Sequence, residues 1–434
     1  MSHSLEQLQK EFLYEKTNSC VQCGYCLPVC PTYATMGKET HSPRGRINLV
    51  KMVGEGKIKD VSVLEEPLDL CLGCRACETA CPTGVEYGSI LEAARAALVK
   101  RKKFSAPVRL LRKTMFKKVF PSNRIMKLTG NALWLYQKSG MQKVVQSTGI
   151  IKKLPYHLGD FEAITPPAAS PAERKQTPVT IGAKGKKKYT VAFFTGCIMD
   201  AMFHRINRLS ILLLAEAGCD VIVVPNQTCC GALHAHSGEM EEAKHLAKQN
   251  IIAFEKANAD FIVNNAGGCG AMLYEYGHLL ADDKEWADRA AAFSTKSRDI
   301  SQVLVACGGM PDLQPRSGER VTYQRSCHMT NVQKVVTEPL ELLTSIPGIE
   351  FVEMKDANMC CGSAGIYNIV HYEESMDILD EKMEHTKATG ASTVITTNPG
   401  CLLQMKLGIQ RENLSDSVRA LHLIEYLAEA AGIS

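Results

Sequence analysis

No stretch of this chain stays apolar for long. The most apolar run, Ile211 to Val224, is interrupted by Glu216 and Asp220 and is too short to span a bilayer. The opening residues, MSHSLEQLQKEF, are polar and helical in character and hold no apolar core of a signal peptide. Together these absences lead us to expect a cytoplasmic protein made in a reducing compartment. Aromatic residues are few, yet apolar residues make up 45% of the 434, which excludes a disordered or fibrous chain and allows two or three domains. Nucleotide and acyl-transfer signatures are missing too. Gly267, Gly268 and Gly270 do not form a GxGxxG opening a helix after a first strand, and there is no Walker loop or nucleophile elbow. No flavin or nicotinamide site is therefore expected in this chain, and no substrate oxidation by it alone. Acidic residues vanish between Ala93 and Gly159, where sixteen Lys or Arg stand without one Asp or Glu, leaving the remainder acidic. A block this one-sided faces an acidic surface: anionic lipid, nucleic acid or an acidic partner.

What is present in excess is cysteine. There are eighteen, mostly in short clusters, a pattern that in a reducing compartment points to metal rather than to a disulfide framework. The strongest signal is Cys20-x2-Cys23-x2-Cys26-x3-Cys30-Pro31, repeated as Cys71-x2-Cys74-x2-Cys77-x3-Cys81-Pro82. This is the two-cluster ferredoxin spacing, in which three thiolates of a run bind one cubane and the fourth binds the other. On that rule one [4Fe–4S] cluster takes Cys20, Cys23, Cys26 and Cys81, and a second takes Cys71, Cys74, Cys77 and Cys30. Gly24 and Gly73 let each loop wrap close to its cluster, while Pro31 and Pro82 turn the chain away. A zinc ribbon shares Cys-x2-Cys, but it needs only four ligands, usually as two separated pairs. Exchanged fourth ligands would hold the two clusters close together, as a relay requires. Between the runs, Arg44 and Arg46 have two readings: cations that offset cluster charge, or solvated arginines at a helix start.

A second cysteine pattern follows. Cys197, Cys229-Cys230-Gly231 and Cys269 recur as Cys327, Cys360-Cys361-Gly362 and Cys401, with gaps of 32 and 39 residues in one copy and 33 and 40 in the other. Matched spacing identifies a duplicated domain. Short β-branched runs (Thr190–Phe194, Val221–Val224, Phe261–Asn264, then Arg320–Arg325, Phe351–Met354, Thr393–Thr397) alternate with helix-like stretches such as Asn207–Ala217 and Glu241–Ala257. In parallel α/β sheets the strand ends gather at one edge, so each copy's four cysteines can converge. Adjacent cysteines need a turn to face one centre, and Gly231 or Gly362 permits it. Metal binding, with one or two further iron–sulfur clusters in the two copies, is favoured over a merely buried cysteine pair. His234, His236 and His328 stand beside these cysteines, where a surface or core role is favoured over ligation. Cys219 and Cys307 fall outside the repeat and read as core cysteines.

The expected architecture is multidomain α+β and α/β. A helical bis-[4Fe–4S] ferredoxin-like domain (1–95) precedes a basic helical connection and exposed linker (96–188), then two tandem α/β cysteine-rich (CCG) domains (189–310 and 311–434).

This order, with CVQCGYCLPVCPTY, SPRGRI, CLGCRACETACPTGV and CCGALHAHSG, resembles the iron–sulfur subunits of bacterial glycolate oxidases over essentially the full length. The resemblance implies an FAD-containing dehydrogenase partner that oxidises glycolate, with electrons passing through this chain towards the quinone pool or another acceptor. Equivalent subunits of anaerobic glycerol-3-phosphate dehydrogenase and D-lactate dehydrogenases share the layout. The CCG domain also resembles a heterodisulfide reductase subunit, where a fifth cysteine completes a noncubane site. Here Met272 and Gln404 stand at those fifth positions, which weakens a disulfide-reducing role. The cluster runs argue against a zinc-stabilised nucleic-acid binder, so no nucleic acid is expected. Residues 96–160 are left with two readings, a peripheral contact with the inner face of the membrane or a contact with an acidic subunit.

Overall fold

Each Cys-Pro pair of the N-terminal region ends a cysteine loop, and proline's fixed φ and missing N–H suit it to the first turn of a helix. Pro31 opens the helix Pro31–Met36, and Ser42-Pro43 opens Pro43–Gly54, where the Ser42 side chain caps the Gly45 N–H. The computed structural model describes residues 5–149, 151 and 155–434. The first four residues of the polar N-terminus, and Lys152 and Lys153 of the basic block, lie outside the described residues. Up to Thr180 the described residues form helices and no strand. The N-terminal region packs around Phe12, Ile47, Val50, Leu64, Leu68 and Ile90. Its last helix, Tyr87–Arg101, runs unbroken through the expected boundary at residue 95.

The basic connection is helical, as expected, over Ala106–Thr114, Asn123–Lys138 and Met141–Thr148. Phe116 and Met126 are buried, but Leu110, Leu111, Leu128, Leu135 and Val144 face out. The linker that follows is less open than its composition suggests. It holds a short helix, Pro171–Gln176, with a Ser170–Glu173 capping box, and a strand, β1 (Thr180–Ile181). The open edge of the next sheet takes up β1, so the first sheet begins before residue 189.

That sheet runs β1-β3-β2-β4-β5, with β2 Tyr189–Phe193, β3 Cys219–Val223, β4 Phe261–Asn264 and β5 Ser297–Asp299. All its pairings are parallel except β1 on β3, where Thr180 faces Ile222. The second sheet, β7-β6-β8-β9, is parallel throughout: β6 Arg320–Tyr323, β7 Glu350–Phe351, β8 Thr393–Thr396 and β9 Arg419–His422. One apolar core joins the repeats, from Val191, Leu213 and Val263 in the first to Val321, Leu379 and Val394 in the second. No helix among the described residues is long and apolar enough to cross a membrane.

Candidate metal centres

Two thiol-lined concavities lie side by side in the N-terminal region. Cys20, Cys23, Cys26 and Cys81 line the first, together with Arg44 and Pro82. Cys30, Cys71, Cys74 and Cys77 line the second, with Pro31, Arg46 and Arg75. Tyr87 and Cys77 border both. Each run therefore sends its last cysteine to the other run's concavity. Gly24 and Gly73 both take positive φ (89° and 62°), as loops closing on a centre require.

Donors point at these sulfurs. Gly73 N–H and Tyr87 O–H each reach Cys71 Sγ at 3.4 Å, and Val85 N–H reaches Cys81 Sγ at 3.5 Å. The hydroxyls of Thr32 and Thr83 lie 3.3 and 3.4 Å from Cys30 and Cys81. Burial raises the pKa of Cys71, but Arg46, Arg95 and the hydrogen bonds from Tyr87 and Gly73 together outweigh it, and the net shift is downward. Burial pushes Cys77 well up, as does repulsion from Cys74 and Cys71. Among the described residues, no three Cys, His, Asp or Glu side chains close round a single ion. A cubane instead spreads its thiolates over separate irons, and these two sets fit that group.

The two arginines part company. Arg46 is buried, donating to Pro67 O at 2.6 Å and Thr32 Oγ1 at 3.0 Å. Burial works against its charge, yet the facing Cys71, Tyr87 and Cys30 hold its pKa above the ordinary value. The solvated reading suits only Arg44, which pairs with Glu39 at 2.8 Å on the rim of the first concavity.

The repeats gather their cysteines at the carboxyl ends of the strands. Cys197 follows β2, Cys229-Cys230 follows β3 and Cys269 follows β4. Cys197 and Cys229 sulfurs stand 3.4 Å apart, and Cys230 reaches Cys269. In the second repeat Cys327 meets Cys360, and Cys361 meets Cys401. Gly231 and Gly362, at φ 93° and 89°, make the turn that aims two adjacent thiols inward. Cys74 and Cys327 pack against Cys360, so the second repeat's set abuts the second N-terminal concavity.

Known families and proteins share this arrangement. The family model of a 4Fe-4S dicluster domain matches residues 16–85, and that of a cysteine-rich domain matches 191–274 and 321–406. The model "Glycolate oxidase iron-sulfur subunit, linker region" matches 107–165. A probable glycolate oxidase iron–sulfur subunit of Bacillus subtilis is 51% identical over 99% of this chain and 98% of its own. The chain belongs to the family of glycolate oxidase iron–sulfur subunits. The Escherichia coli glycolate oxidase iron–sulfur subunit is 30% identical over 88% of both chains. Lactate utilization protein A of Oceanobacillus iheyensis is 36% identical over 55% of this chain and 96% of its own. Iron–sulfur chemistry and CCG domains are thus properties of this family member.

The three histidines are occupied elsewhere. His234 bonds Phe116 O at 2.8 Å, His236 stands 3.5 Å from Glu92, and His328 bonds Gly73 O at 3.0 Å. Burial and the neighbouring His236 lower the His328 pKa to about 4, so it stays neutral. Cys219 and Cys307 are buried as expected, and their sulfurs also meet each other, 3.5 Å apart. Sequence reasoning missed Thr32 and Thr83, although each stands in a repeated Cys-Pro-Thr that signals its place. Tyr87 and the buried Lys382, whose ammonium bonds Asp356 O at 2.7 Å near Cys361 and Cys360, carried no such signal.

Proposed function

We propose that this chain is the electron-transfer subunit of a flavin-dependent glycolate oxidase complex, taking electrons from an FAD-containing dehydrogenase subunit and passing them towards quinone. The observation that carries this reading is the exchange of Cys30 and Cys81 between the two concavities. Cys20, Cys23, Cys26 and Cys81 would hold one [4Fe–4S] cluster, and Cys71, Cys74, Cys77 and Cys30 the second. Cys197, Cys229, Cys230 and Cys269, and Cys327, Cys360, Cys361 and Cys401, would hold one further iron–sulfur cluster each. When bound, these groups supply one-electron transfer. The chain tunes them through Arg46 and through the N–H and O–H donors aimed at the sulfurs. Cys23, Val21 and Tyr25 are exposed at the first concavity, which supports that face as the one that meets the flavin subunit.

Anaerobic purification with the native partners, followed by separate additions of glycolate, D-lactate and glycerol 3-phosphate, tests the reading through the visible absorption of the clusters. Bleaching by glycolate is expected. Bleaching by D-lactate alone would move the chain to the reading favoured by its lactate-utilization relatives, and by glycerol 3-phosphate alone to that sister complex. A colourless zinc protein would end the relay.

The basic helices support a peripheral contact with an anionic membrane surface on the inner face. Leu110 and Leu111 stand exposed between Arg109, Arg112 and Lys113 on one helix, an arrangement that suits a lipid interface. Flotation with anionic vesicles at low and high salt checks it, and no association at low salt would sink it.

A further inference from the structure

A cavity of about 180 Å³ opens between the N-terminal region and the first repeat. One wall is the helix Tyr87–Arg101, with Ala93 and Ala96; the other carries Met240, Met272 and Leu279. Its position in the electron path is unusual. Arg75 on its wall lies between Cys74 and Cys77, while Met272 lies one helical turn beyond Cys269. The cavity thus separates the second N-terminal centre from the first repeat's centre.

Its lining combines apolar faces with proton-carrying ends. Glu275 forms an ion pair with Arg75, and His278 Nε2 stands 3.1 Å from Ser89 Oγ. Burial, with the neighbouring Glu92, raises the Glu275 pKa despite Arg75, so its carboxyl keeps a proton to higher pH than an exposed one. The polar lining is mixed in charge, with Glu92 and Glu275 beside Arg75 and Lys244, and a protein acceptor could not enter. A flat ring with apolar faces and two carbonyl oxygens suits both kinds of wall.

We propose that this cavity binds the ring of a quinone, the acceptor to which the chain delivers its electrons. The assignment rests on the relay reading above and adds the place where the relay ends. Reduction adds two electrons, delivered singly from the iron–sulfur centres, and two protons, one to each ring oxygen. The ring leaves as the hydroquinone. Glu275 and His278 donate the protons and are recharged from solvent at the open rim. The rim also adjoins the basic helix: Arg112 pairs with Glu239 at 2.8 Å, and Glu239 directly precedes Met240 of the wall. An apolar tail would leave the cavity on that side, where Leu110 and Leu111 stand exposed on the helix that carries Arg112.

A short-chain azidoquinone, photolysed with the full chain and its partner subunits, reads the site directly. Label is expected within residues 88–96 or 272–279, displaced by excess unlabelled short-chain quinone and suppressed by Ala96→Trp. Glu275→Gln, nearly the same size, is expected to keep the label but to slow quinone re-oxidation of dithionite-bleached clusters about tenfold or more, the weight of a buried charged hydrogen bond. Iron content and absorption spectrum check that both variants fold. Label elsewhere, or re-oxidation unchanged by Glu275→Gln, overturns the proposal. Bleaching by glycolate separates the two readings. A protein that labels in the cavity but does not bleach keeps the site and loses the donor, and one that bleaches but labels elsewhere loses only the site.

Discussion

Arg44 and Arg46 stand two residues apart in one SPRGRI stretch, and only burial distinguishes them. Local sequence could not, because both lie in the first turn of the same helix; the side that faces Pro67 and Thr32 is set by contacts 14 and 21 residues away. Arg46→Ala should cost about 2–4 kcal/mol, since it strips two buried acceptors of their donor and leaves a void. Arg44→Ala, at the rim, should stay within about 1 kcal/mol. Denaturant unfolding of the cluster-loaded protein checks both. A redox titration adds a second reading: loss of the Arg46 cation disfavours the more negative reduced state, so an N-terminal cluster's midpoint should fall, and Arg44→Ala should move it less. Equal shifts would remove Arg46 from its place beside Cys71. By contrast, the cysteine runs, Gly24, Gly73 and the two Cys-Pro turns were legible because their spacing lies along a single loop.

Among the elements, the central strands were legible and most of the edges were not. Tyr189–Phe193, Phe261–Asn264 and Thr393–Thr396 are buried, β-branched runs that composition alone marks out. Ser297–Asp299 and Arg419–His422 are edge strands that carry little of that signal and are recruited by pairing. Glu319 ties the second sheet together from just before β6. It accepts from Thr393 Oγ1 at 2.6 Å and Arg419 Nη2 at 2.9 Å, and pairs with Arg316 at 3.2 Å. Burial would raise its pKa, but these donors bring it down to about 2. Its folded pKa thus lies below the ordinary 4.5. The stability it contributes is present above about pH 4.5 and is lost as pH falls towards about 2. Glu319→Gln should be less stable near neutral pH and flatter across that acid window. A urea series at stepped pH reads this, and parallel slopes in the two proteins would refute it. The basic helices give a different test. Leu110→Ser with Leu111→Ser should leave folding within about 0.5 kcal/mol, since both side chains are exposed, while weakening vesicle binding tenfold or more.

Taken as a whole, the molecule places its second N-terminal centre at a junction. Asn331 Nδ2 bonds Cys74 O at 2.9 Å, His328 bonds Gly73 O, and Cys360 packs against Cys74 across more than 250 residues of sequence. None of this seam was legible, because each half satisfies its own pattern and the contact depends on how the halves dock. The first N-terminal centre, with Cys23 exposed, sits at the outer end of the path. The second is enclosed, with the second repeat's cysteines on one side and the cavity leading to the first repeat on another. On the proposed relay, electrons entering at the exposed first centre would pass through the enclosed one before reaching either repeat. If the second repeat holds a paramagnetic cluster as proposed, its packing against Cys74 should couple the two spins. The EPR spectrum of the fully reduced complex should then be broadened relative to the half-reduced one. Cys361→Ala with Cys401→Ala, which removes two of the four thiols farther from the seam, should narrow the spectrum while iron in the N-terminal region is retained. Identical line shapes in the two proteins would separate the second repeat from the relay, leaving the path to run through the cavity side alone.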